Sequence, residues 1–177
     1  VQIDIKEFQS YVKHFAKPNN YDILLNPPNM DELNNFNINQ FGKTVRIFAK
    51  SLSIPSNSTQ VNSQYYYNTI YHNGTVVTLD SVIVTFYDTS TAFFHRYFNT
   101  WQYGRFDNSG VLKYYPDEYS GTMDIYLNDN KIYTLEKLFP ISVGDFRLDN
   151  EMEDEFGTFD VTFAITNLKI ANLPFES

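Results

Sequence analysis

The sequence predicts an all-β fold, an antiparallel β-sandwich or partial barrel with one flanking α-helix and a short helix near the N-terminus. Three observations lead there. Val82, Val84 and Phe86 alternate with Ser81, Ile83, Thr85 and Tyr87, and Met123, Ile125 and Leu127 alternate with Thr122, Asp124 and Tyr126; a period of two marks strands that turn one face to a core. The 14 Tyr and 16 Phe against a single Trp suit pleated, half-buried surfaces. Only Phe94, Tyr97, Phe98 and Trp101 form a strong helical face, so strands and helices do not alternate as a parallel sheet with crossover helices requires.

Taken in order, Ile5, Phe8, Val12 and Phe15 share one helical face, and Pro18 stops that short helix. Residues 21–25 read as a strand ended by Pro27-Pro28, because proline cannot donate to a ladder. An Asn-rich insertion over 26–43 reads as an ordered loop, and a strand at 45–49 resumes before Pro55. Residues 56–63 are polar and predict a projecting loop. A strand at 64–71 then meets Asn73-Gly74, the dipeptide of a tight hairpin turn, and a long strand follows over 76–87. Ser90 is the expected N-cap of the Phe94–Trp101 helix, with Gly104 near its end. Asp129-Asn130 predicts a turn between the 122–127 strand and a partner at 132–135. A turn and short strand from Leu138, an acidic loop and a strand at 159–164 complete the pattern, with Val143 and Phe159 in the core. At 177 residues the chain suits one domain that buries roughly 70% of its unfolded surface, with an N-terminal arm at 1–17 and a C-terminal extension at 168–177.

Composition removes several functions. Zero Cys excludes disulfides, thiolate metal sites and cysteine nucleophiles. A net charge of −8 opposes tight nucleic-acid binding, which needs clustered Lys and Arg to displace counterions from phosphates. No apolar window reaches membrane-spanning length, and the start, Val1-Gln2-Ile3-Asp4-Ile5-Lys6, lacks the order of a secretory signal, so a soluble chain is expected. His14, His72 and His95 stand in no metal-ligand spacing, and Asp149-Asn150-Glu151-Met152-Glu153 misplaces the glycine and glutamate of a calcium loop. No nucleophile elbow or phosphate loop is present, so no enzyme activity, cofactor or metal is expected. The clusters Tyr65-Tyr66-Tyr67, Tyr71 and Tyr114-Tyr115 leave a different class open, a carbohydrate-binding β-sandwich that stacks sugars on exposed rings.

Several segments, in shared order, resemble the tail tube proteins of contractile-tailed bacteriophages. Ala16-Lys17-Pro18-Asn19 before the first strand, Ala49 to Pro55, Gly74-Thr75-Val76-Val77-Thr78-Leu79-Asp80 before Val82, and Phe98-Asn99-Thr100-Trp101-Gln102 are similar to that family's landmarks. The most specific pair is Leu138-Phe139-Pro140-Ile141-Ser142-Val143-Gly144-Asp145-Phe146-Arg147-Leu148-Asp149 with Thr158-Phe159-Asp160-Val161-Thr162-Phe163-Ala164.

The resemblance implies a structural virion protein. Hexameric rings would stack into the inner tube of a contractile tail, a negatively lined conduit for DNA ejection assembled in the host cytoplasm. A baseplate tube-initiator ring, or the tube of a related injection or secretion system, is the near alternative. Implied partners are further copies of the chain, the tail sheath outside, the tape measure protein and phage DNA in the lumen without tight binding, and the baseplate and tail terminator proteins, with no membrane insertion. Ser56, Asn57, Ser58, Thr59, Gln60, Val61, Asn62 and Ser63 occupy the place of a ring-stacking loop. Within the conduit reading, Thr122 and Asp124 are lumen candidates, and Asp149, Glu151, Glu153, Asp154 and Glu155 form a candidate acidic interface loop.

Overall fold

The computed structural model describes residues 21–36, 49–54, 56–67, 69–79, 81–146 and 157–171. Its strands are β1 (Tyr21–Asn26), β2 (Ala49–Ser53), β3 (Asn57–Tyr66), β4 (Thr69–Leu79), β5 (Val82–Tyr87), β6 (Gly121–Leu127), β7 (Asn130–Val143), β8 (Thr158–Ala164) and β9 (Asn167–Ile170). Helix α1 (Phe93–Gly104) and the single turn α2 (Pro116–Tyr119) lie between β5 and β6, and a 3-10 turn (Asp31–Leu33) follows β1. Every pairing is antiparallel, in the order β1-β6-β7-β8-β5-β2 with β9 beside β7, as the all-β expectation required. The N-terminal helix expected at 5–15, most of the 45–49 strand, the later part of the Asn-rich insertion and the acidic interface loop Asp149, Glu151, Glu153, Asp154 and Glu155 lie outside the described residues.

One strand joins the two layers. The first half of β7 pairs with β6 and β9, and its second half pairs with β8. Register slips at Lys137, which has φ 52°, and at Ile141. Each slip inserts an unpaired residue, and such bulges bend a strand and raise its twist, which lets β7 leave one sheet and enter the other. The short strand expected from Leu138 is thus the far half of a 14-residue strand. Pro140 is tolerated there because it sits next to a bulge.

Between the layers, Ile23, Leu25, Met123, Ile125 and Leu135 of the first sheet meet Val82, Val84, Phe86, Val161 and Phe163 of the second, all buried. α1 adds Phe94, Tyr97, Phe98 and Trp101, each with no exposed surface; the helical spacing read from the sequence is the face that packs. Phe98 lies edge-on to Phe163 at 5.7 Å and 4.9 Å from Phe86, arrangements that add to the gain from burial itself. The Trp101 indole N–H donates to the Tyr119 carbonyl at 2.8 Å. Gly121 is required beside it, since a Cβ there would stand 2.5 Å from the Asn26 carbonyl oxygen. Phe159 is buried as expected, whereas Val143 is only half-buried.

Three local expectations are corrected. Ser90 is exposed and does not cap α1. Asp88 accepts from the N–H groups of Phe94 and His95 at 2.9 and 3.0 Å, and the Thr89 hydroxyl accepts from Phe93 at 3.1 Å. The β6–β7 turn falls one residue earlier than expected, on Asn128 and Asp129, whose positive φ values of 49° and 64° match the right-handed twist of a two-residue hairpin. Asn73-Gly74 makes no turn: both lie inside β4, opposite Asn62 and Val61, where the register slips. The chain reverses instead after Tyr66, with Tyr67 at φ 53°. What Gly74 supplies there is room, since a Cβ would stand 3.0 Å from the Thr59 methyl across the ladder.

Candidate assembly interface

The segment 56–63, expected as a loop, is strand. Residues 57–63 belong to β3, which pairs with β4 alone among the described strands. The spacing of partners explains its position. Ser53 opposite Ile83 in the body and Asn57 opposite Leu79 in the ribbon continue one register, so β2–β3 and β4–β5 are the two sides of a single long hairpin. Its base is hydrogen-bonded to β8, and its outer part, about 30 Å at the usual rise per residue, extends as a two-stranded arm.

Val61, Tyr65 and Ile70 share one face of that arm and are 56%, 77% and 46% exposed. Between them the Ser63 hydroxyl and the His72 ring nitrogen are 2.8 Å apart. At the tip Tyr67 is 94% exposed. A two-stranded ribbon is marginal by itself in water, and its outer backbone groups invite pairing with another chain. This arm has the chemistry of a surface that is completed by a neighbour.

The lumen candidates Thr122 and Asp124 lie half-buried on the outer face of β6. Thr122 accepts from the Asn26 amide at 3.3 Å. Asp124 is met by the Lys131 ammonium at 2.7 Å and by the Thr134 hydroxyl at 2.7 Å, and the carboxylate holds the Lys131 proton affinity above its ordinary value. Further along, Glu136 pairs with Lys169 at 2.5 Å and accepts from Asn167 at 3.0 Å. The Lys169 ammonium first, and then the Asn167 amide, hold the Glu136 carboxyl below the usual glutamate range. These two carboxylates are matched by lysines, a feature that sequence alternation could place on a face but not pair.

An open depression of about 320 Å³ beside β1 is lined by Asp22, Ile23, Leu24, Tyr126 and Asp129. Among the described residues no group of three or more His, Cys, Asp or Glu is arranged to hold a metal, and no helix is long and apolar enough to cross a membrane. His95 stands 3.2 Å from the Gly144 carbonyl oxygen and packs edge-on to Phe159 at 5.2 Å. The histidines at 72 and 95 thus serve separate local contacts, and His14 lies outside the described residues.

The architecture is similar in fold to that of a tube-complex chain from a contractile injection machine. A chain of the extended sheath–tube complex of an extracellular contractile injection system, PVC, superposes with a TM-score of 0.54 at 12% identity, over 94% of this chain and 97% of that one. A chain of the same system's sheath/tube terminator gives 0.49 at 12% identity over 86% and 93%, and one from the anti-feeding prophage baseplate gives 0.47 at 10% identity over 70% and 78%. By sequence the chain matches no protein-family model and no curated protein. At these identities the likeness is one of fold, and it meets the expectation drawn from the tail-tube motifs.

Proposed function

We propose that this chain is a structural subunit that joins copies of itself in hexameric rings, stacked into the inner tube of a contractile tail or injection apparatus. The observation that carries the reading is the β3–β4 arm, a ribbon paired only with itself among the described strands and anchored in a body whose sheet ends at β1 and β2. Lateral neighbours extend the sheet at those ends, and the arm reaches the next ring. Sheath outside and baseplate and terminator rings at the tube's ends are the implied partners, and the tape measure protein and DNA occupy the bore in turn. The role is mechanical and needs no catalytic group. The chain's acid excess is compatible with a bore that does not grip DNA. Asp124 and Glu136, each bound to a lysine, make the outer face of β6 and β7 a polar, largely neutralised wall if it lines the channel.

Electron microscopy of the purified chain tests this. Rings or stacked tubes are expected, and a strictly monomeric species at high concentration overturns the proposal.

A further inference from the structure

The segment between α1 and α2 carries a second surface. Arg105 follows the helix, its guanidinium carbon 4.8 Å from the Phe139 ring centroid, 5.1 Å from Phe106 and 5.5 Å from Tyr119. Its Nε is buried and lacks a hydrogen-bond partner, and no described carboxylate forms an ion pair with it. The nearby acids are engaged elsewhere. Glu32 binds Lys113 and the Tyr114 hydroxyl, and Asp117 pairs with Lys137. Asp107 accepts from the Ser109 and Val111 N–H groups, and Glu118 accepts from the Tyr115 N–H.

Around this cation the chain is apolar and exposed. Phe106 and Leu112 face each other across a β-bridge and are 37% and 45% exposed, with Val111 at 61%. The bridge is fixed by the Lys113 N–H donating to the Arg105 carbonyl at 2.8 Å and by Gly110 at φ 77° in the turn. A guanidinium is weakly hydrated and shaped to take a carboxylate with two parallel hydrogen bonds; with Nε buried, the two terminal Nη nitrogens are the ones that meet it. An arginine stacked on rings and rimmed by apolar side chains has the composition of an interface centre.

We propose that Arg105 with Phe106, Val111 and Leu112 is a docking surface for a different protein, which presents a carboxylate flanked by apolar side chains. The complementarity that selects this occupant is local, an arginine with no described carboxylate of its own chain paired to it and with apolar side chains around it. The surface is separate from the β3–β4 arm and does not depend on the tube reading.

The test uses the full chain and three short fluorescent peptides of alternating Leu with Glu, Gln or Lys, followed by anisotropy. The Leu-Glu peptide should bind, and the Leu-Gln and Leu-Lys peptides should bind at least about tenfold more weakly, the worth of one charge-assisted pair. Arg105→Met should erase the difference. Equal binding of the three peptides, no binding of Leu-Glu, or full Leu-Glu binding by Arg105→Met overturns the proposal. Should Arg105→Met fail to fold, Leu112→Asp at the exposed rim keeps the test: it should weaken Leu-Glu binding at an unchanged unfolding midpoint, and wild-type binding by that variant is equally fatal.

Discussion

Asp88 illustrates how single residues direct this fold. Its carboxylate accepts from the N–H groups of Thr89, Phe94 and His95, so it supplies the helix start that Ser90 was expected to provide. Asp88→Ala should cost about 1–2 kcal/mol, the usual range for a lost cap, and Ser90→Ala almost nothing; denaturant unfolding of the two variants checks the contrast, and equal midpoints would refute it. The apolar face of α1 was legible because it depends only on spacing along the chain. The cap was not, because Asp88 reaches N–H groups six and seven residues on only after residues 88–92 fold back, with Ala92 at φ 51°. Phe159 and Val143 differ for a related reason. Alternation placed both inside, yet β7 is ending at Val143 and leaves it half covered. Phe159→Asp should therefore abolish cooperative unfolding, while Val143→Asp should leave a folded but weakened protein, as circular dichroism during a thermal ramp would report.

At the scale of elements, the arm and β9 make opposite predictions. Val61→Asp combined with Ile70→Asp changes two exposed residues on the arm's apolar face, so the body's stability should move by no more than about 0.5 kcal/mol. Stacking should be lost, and micrographs retaining long tubes would remove the arm from the interface. For β9, the Lys169 and Asn167 contacts depress the Glu136 proton affinity in the folded state. A depressed carboxyl contributes stability above its unfolded value and loses it as pH falls through the lower folded value. An NMR titration should place the Glu136 inflection below the ordinary glutamate range, and Lys169→Met should raise it; an unmoved inflection counts against the pair. Polarity read the arm's first segment, 56–63, as a loop because it carries hydrophilic residues on both faces, and strand patterning depends on one buried face; the strands expected at 64–71 and 76–87 cover much of the rest. What reveals the strand is the partner across the hairpin, which a local window does not contain.

For the whole molecule, the class of fold was readable from alternation, ring content and the single helix, and the resemblance to tube proteins rested on motifs that prove structural. Gly144 in one of them donates its N–H to the Asp160 carbonyl at 2.7 Å, and a Cβ at Gly144 would stand 3.1 Å from that oxygen. The described parts of the two most specific motifs are thus the end of β7 with the residues just after it, and β8, adjacent strands held together at that point. The sharing of β7 by both layers was not legible, since it depends on two bulges. In assembled form the protein should retain no duplex DNA even at low salt, because a net charge of −8 per chain repels phosphate. A gel-shift titration that showed salt-sensitive retention would contradict a slippery conduit.

The register shared by Ser53–Ile83 and Asn57–Leu79, which carries the arm into the body, has a mechanical corollary. Hydrogen bonds between antiparallel strands run perpendicular to them, so a pull along the arm's axis loads the rungs between β5 and β8 together in shear, where they share the force, and does not peel them open one by one. A chain gripped by its hairpin thus resists tugging far better than one gripped across it.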